Sequence, residues 1–153
     1  MIYDSPIGKM LVTGYCDSLS VLRVINSRLI ATTDPECDAE AHARLWLDAY
    51  FAGAALPEMP HLEPNGTDFQ KRVWYEIAQI PYGQTATYGE IARRLGSSAR
   101  AVGSAVGANP IAIFIPCHRV VAAGGIGGFA YGTEAKHYLL NLESTDHLFC
   151  GFA

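Results

Sequence analysis

The chain has 153 residues, half of them hydrophobic and 17% charged, which is enough apolar material for one mid-sized domain or two small ones. That balance excludes intrinsic disorder, coiled coil and collagen-like repeats, and no run of about 18 apolar residues exists to span a membrane. Eleven basic against fifteen acidic side chains give a net charge of −4, which taken alone argues against a nucleic acid partner. The distribution argues the other way: residues 1–63 carry 4 basic and 9 acidic groups, whereas residues 69–120 carry 6 basic and 2 acidic. The N-terminal stretch has no basic segment followed by an apolar one, so no export signal is expected and the expected location is cytoplasmic. Cys16, Cys37, Cys117 and Cys150 form no C-x-x-C pair, and Cys37 with His42 fits no zinc spacing; neither a disulfide scaffold nor a metal site is expected.

Residues 1–33 read as a small antiparallel sheet. Apolar runs at 2–3, 10–15, 19–25 and 29–33 are broken by Ser5-Pro6-Ile7-Gly8, Asp17-Ser18 and Asn26-Ser27. Asp34 as N-cap, Pro35 as first helical residue and Gly53 as stop then bracket a helix, with Leu45, Trp46, Ala49 and Tyr50 expected on its buried face. Pro57, Pro60, Pro64 and Gly66 mark a linker.

Beyond the linker the pattern shifts to short helices. Thr67-Asp68-Phe69-Gln70 is a capping box ahead of an apolar stripe at Phe69, Val73, Ile77 and Ile80. Thr87-Tyr88-Gly89-Glu90 is a second one, opening a helix that runs through Leu95 and stops at Gly96. Ser97 or Ser98 caps a third helix, expected over 99–108 and ended by Asn109-Pro110. Two short helices joined by four residues have the dimensions of a helix-turn-helix, whose second helix would enter a groove. That helix is built of small residues, with Arg100 as its single reaching side chain; it suits tight packing on a neighbour as well as close approach to DNA.

Residues 111–115 form an apolar, strand-like run leading into Pro116-Cys117-His118-Arg119-Val120. A thiol followed at once by an imidazole suggests an activated nucleophile, since the thiolate is the reactive species and needs a base or a positive environment to form at neutral pH. Adjacent residues on an extended chain point to opposite sides, so direct Cys–His cooperation needs a turn here or a bridging water. Glu134 and Glu143 are the nearest downstream carboxylates able to orient His118.

Taken with Ile80-Pro81-Tyr82-Gly83, Thr87-Tyr88-Gly89-Glu90-Ile91-Ala92, Arg100-Ala101-Val102-Gly103 and Tyr138-Leu139-Leu140-Asn141-Leu142-Glu143, this string resembles the O6-alkylguanine-DNA alkyltransferases, also called methylated-DNA–protein-cysteine methyltransferases. The likeness runs almost continuously over residues 66–143. Residues 1–60 resemble the family's N-terminal domain only by element order. The resemblance implies an α+β fold: a small ribonuclease-H-like antiparallel sheet plus helix (1–60), a linker (61–66), and a helical helix-turn-helix domain carrying the active-site cysteine (67–153). It implies that Cys117 accepts the alkyl group, that His118 acts as base through a water, and that Glu143 rather than Glu134 orients that histidine. Asn109 matches the family asparagine at the bend after the recognition helix, and Tyr88 the tyrosine that helps rotate the target nucleotide and meets the purine. Arg100, with Ala99, Ala101 and Gly103 around it, matches the part that enters the duplex. Main-chain groups near Val120, Ala130 and Tyr131 are expected to contact the base. The implied partner is double-stranded DNA containing alkylated guanine, taken up by a monomer with no cofactor and no membrane; alkylated thymine is left open.

Three features depart from the family pattern: Ala112 stands where a second proline is frequent, Gly107 where some members have arginine, and the loop between Val121 and Lys136 is about one residue short. The rival reading is an alkyltransferase-like protein that binds the lesion without transferring anything, against which the presence of Cys117 counts. A Cys-His-Glu hydrolase and a transcription-factor module fit less of the chain.

Overall fold

The computed structural model describes residues 1–25 and 35–152, from 145 onward by backbone alone. The expected strand at 29–33, the Asn26-Ser27 turn and the Asp34 cap lie outside the described residues, as does the Cys150 side chain. The chain forms two compact units: Met1–Asn65 with Pro110–Ala112, and Gly66–Asn109 with Ile113–Ala153.

In the first unit, β1 (Ile2–Ser5), β2 (Gly8–Tyr15) and β3 (Ser18–Val24) pair antiparallel in sequence order. The turn at Pro6-Ile7 is fastened by Ser5, whose Oγ donates to Gly8 O at 2.7 Å and accepts from Ile7 N. Alternation along β2 and β3 sends Met10, Val12, Leu19 and Leu22 to the inner face, where all four are fully buried. A fourth strand, β4 (His61–Leu62), pairs with β3 in parallel, Ser18 opposite His61. The first two residues of the segment expected as a linker are therefore sheet. The prolines Pro57, Pro60 and Pro64 flank the two pairing residues without occupying them, and those two pair along the edge of β3.

Helix α1 (Asp38–Ala52) starts later than the sequence suggests. Cys37 is the N-cap without a side-chain bond, and the Cys16 carbonyl instead takes the Ala39 N–H at 3.0 Å. An amide bonded across to the hairpin turn has set the helix start, overriding the proline signal. The buried face is Ala39, Ala43, Trp46, Leu47 and Tyr50; Leu45, expected inside, is 64% exposed. The error is one of phase, because Leu45 lies about 100° round the helix from Trp46.

In the second unit the helix signals hold closely. Here α2 runs over Asp68–Ala78, α3 over Tyr88–Leu95 and α4 over Ala99–Gly107, with both capping boxes formed and Ser98 capping α4 by accepting from Ala101 N. Trp74 Nε1 donates to Ala105 O at 2.8 Å, tying α2 to α4. Gly66 is required by proximity: a Cβ there would lie 2.4 Å from the Trp74 ring. The short strands β5 (Ala86–Thr87) and β6 (Val120–Val121) pair in parallel, and α5 (Thr133–Phe152) closes the described chain.

The run 111–115 is not a strand. Ile111 makes a single bridge to Leu22, and Ile113 has φ 70°, which a β-branched residue adopts only under constraint. The constraint is visible on either side of it. Pro110 and Ala112 bond along Leu22, while Asn109 Nδ2 donates to Ile115 O at 2.8 Å. All five residues are buried, which is the apolar signal the sequence carried.

Candidate active site

Cys117, His118 and Arg119 form one turn of 3-10 helix between Pro116 and β6. The chain turns here rather than running extended. Cys117 is 6% exposed and His118 not at all. Burial pushes the Cys117 thiol up; the Asn109 side chain, the backbone amides of Cys117 and His118, and the positive charge of Lys136 act in the opposite direction. Asn109 thus holds both the Ile115 carbonyl and the thiol, linking the end of α4 to the nucleophile.

His118 Nε2 lies 2.7 Å from Glu143 Oε1. Among the described residues, His118 Nδ1 is the buried side-chain nitrogen or oxygen with no hydrogen-bond partner. Burial lowers the basicity of His118, the bond and charge of Glu143 oppose this, and the cations of Arg119 and Lys136 reinforce it. Glu143, only 1% exposed, would be pushed up by burial, but bonds from His118 and Arg119 together with their charges bring it down to about 2. It is an anion throughout the physiological range. Glu134, the alternative carboxylate, is exposed at the start of α5.

Tyr88, the first residue of α3, is half-buried, and its hydroxyl is pushed up by burial and by the nearby Cys117 charge. Its ring lies beside the glycine-rich loop: a Cβ on Gly127, whose φ is 76°, would meet Tyr88 Cε2 at 3.3 Å and Ala122 N at 3.2 Å. A cavity of about 220 Å³ opens here, lined by Tyr88, Gly103, Val106 and Gly107 on one side and by Cys117, Gly128, Phe129 and Ala130 on the other. Arg100, Ala99 and Ala101 occupy the first turn of α4, with Arg100 and Ala99 exposed.

Of the three residues expected near the base, Ala130 lines the cavity. Val120 is fully buried and its carbonyl takes the Lys136 ammonium at 2.6 Å; Tyr131 does not line the cavity but sets its ring edge-on to Phe129, with centroids 5.4 Å apart. Phe129, a residue that the motif strings do not single out, also lines the cavity.

Two further site residues, Lys136 and Arg119, lie outside the roles the motif strings imply. Lys136 is completely buried, its Nζ donating to Val120 O and to Gly128 O at 3.0 Å, so it staples β6 to the glycine-rich loop. A signal existed: Lys136, Leu139 and Glu143 share one helix face, and a lysine in an apolar stripe is out of place unless paired. Arg119 spans Glu143 and the Ile80 carbonyl. The described residues contain no cluster of three or more His, Cys, Asp or Glu able to hold a metal, and no helix long and apolar enough to cross a membrane.

Residues 68–145 match the family model described as the 6-O-methylguanine DNA methyltransferase DNA binding domain. The methylated-DNA–protein-cysteine methyltransferase of Methanosarcina acetivorans is 42% identical over 151 residues, covering 94% of this chain and 97% of the relative. That decides the family. The chain belongs to the methylated-DNA–protein-cysteine methyltransferases. The Mycobacterium tuberculosis relative is 45% identical over 150 residues, covering 93% of this chain and 90% of its own. A crystal structure of Mycobacterium tuberculosis OGT in complex with DNA superposes with a TM-score of 0.84 at 43% identity, over 95% of this chain and 92% of that one. Membership in this family fits the α+β architecture and the DNA-repair class of the chain.

Proposed function

We propose that this protein repairs DNA by moving the alkyl group of O6-alkylguanine onto its own Cys117, once per molecule. The observation carrying this reading is a buried thiol in the wall of a base-sized cavity, backed by a histidine whose other nitrogen is held by a buried carboxylate. The target oxygen lies within the base stack of a duplex, so the nucleotide must be extruded to reach the cavity. Arg100, exposed and unaccompanied by other long side chains on α4, fills the gap left behind.

In the reaction, the Cys117 proton passes through a water to His118 Nδ1, and Glu143 supports the imidazolium. Sγ attacks the alkyl carbon, the carbon–O6 bond breaks, and the departing guanine gains a ring proton from Tyr88. The His118 proton then returns to Tyr88 through water, so that the proton lost by the thiol balances the one guanine gains. A thioether offers water no acyl carbon, so no group in the site restores the thiol. No cofactor enters the scheme. The protein acts as a cytoplasmic monomer on double-stranded DNA.

The test is intact mass after mixing with a duplex carrying O6-methylguanine. Gain of one methyl on Cys117, in proportion to protein and absent from Cys117→Ser, supports transfer. Unchanged mass with tight binding supports a lesion-binding protein instead.

A further inference from the structure

Arg119 makes more contacts with the catalytic carboxylate than His118 does. Its Nε lies 3.0 Å from Glu143 Oε2 and its Nη2 2.9 Å from Oε1, a two-pronged grip on both oxygens, while Nη1 donates to Ile80 O at 2.8 Å. The guanidinium carbon sits 5.6 Å from the centre of the Tyr82 ring. The fork is therefore fixed at three points, and only 11% of the side chain is exposed. His118 must share Oε1 with it. A histidine bonded to an unshared buried carboxylate would be drawn toward its protonated form, and a protonated imidazole cannot take a proton from a thiol.

We propose that Arg119 is a positioning residue for the transfer reaction: by gripping both oxygens of Glu143 and offsetting its charge, it keeps His118 a neutral base with Nε2 toward the carboxylate and Nδ1 available for the thiol proton. The charged groups acting on His118 are Glu143 and Lys136 from α5 and Arg119 from its own turn, with the Cys117 thiol beside it and the Tyr88 hydroxyl of α3 beyond that. Of the two cations, Arg119 alone touches the carboxylate. Lys136 spends its hydrogen bonds on the Val120 and Gly128 carbonyls. Loss of the Arg119 charge leaves Glu143 to act on His118 undiminished, so the imidazole holds its proton to higher pH. This role rests on the proposed reading of Cys117 as acceptor.

The experiment is single-turnover transfer from an O6-methylguanine duplex, followed from about pH 5 to about pH 9 for wild type, R119Q and R119K. R119Q should move the acid limb up by about one pH unit, which is ~10-fold slower transfer below the limb, and should approach the wild-type rate on the alkaline side. R119K keeps a charge but not the fork, so its limb should fall between the other two. If R119Q does not fold, R119K decides: a limb above wild type supports the role and an unmoved limb overturns it. An R119Q rate reduced by one factor at every pH also overturns it. Wild type that transfers nothing at any pH would overturn the acceptor reading instead, so the two failures are distinguishable.

Discussion

At the scale of single residues, the site is a set of buried polar groups held by specific partners, with His118 Nδ1 left open for the thiol proton. Cys117→Ser should abolish transfer while leaving duplex affinity within about two-fold, because the exposed turn of α4 is untouched and a serine hydroxyl is a far weaker nucleophile. Transfer retained on another residue, read by peptide mass, would contradict this. Lys136→Met keeps the shape of the side chain but leaves the Val120 and Gly128 carbonyls without their donor. Urea unfolding should show a loss of roughly 1–3 kcal/mol, the usual cost of leaving a buried polar group unpaired. An unchanged midpoint would mean that water reaches these carbonyls. Arg100→Ala should lose most duplex repair but react normally with the free base O6-benzylguanine, which needs no extrusion; equal losses on both substrates would assign Arg100 to the fold.

At the scale of elements, the link between the 3-10 turn and α5 makes stability depend on pH. His118 is less basic in the folded chain than in the unfolded one, so the unfolded state binds more protons as pH falls through about 6.5, and stability falls with it. Glu143 is held at about 2 against an ordinary 4.5, so its contribution is complete above 4.5 and is lost as pH drops toward 2. Melting temperature should therefore fall in two stages on acidification, and His118→Gln should remove the upper one. A flat profile between pH 7 and pH 5 would contradict the buried neutral histidine. Capping boxes and glycine stops made α2, α3 and α4 legible in the sequence because their signals are local. The start of α1, the strand at His61–Leu62 and the bend at Ile113 depend on bonds to Cys16, β3 and Asn109, which no local pattern carries. In the same way the motif strings pointed to Cys117, His118 and Glu143, and a lysine in an apolar helix stripe hinted at Lys136, whereas Phe129 is recognisable only once the glycine-rich loop is in place.

At the scale of the whole molecule, an acidic protein belongs to a DNA-binding family, and the local excess of 6 basic over 2 acidic groups in residues 69–120 is where the phosphate contacts are expected. Duplex affinity should fall as salt rises, with a logarithmic slope of about 0.9 per phosphate contact neutralised. A flat response would assign binding to cavity contacts alone. The central claim is a covalent one. Incubation of the full chain with a slight excess of duplex containing a single O6-methylguanine, followed by intact mass and peptide mapping, tests it directly. One methyl group on Cys117 per protein molecule, with no further turnover on added substrate, is the predicted result; repeated turnover, or lesion DNA bound with the protein mass unchanged, would contradict it.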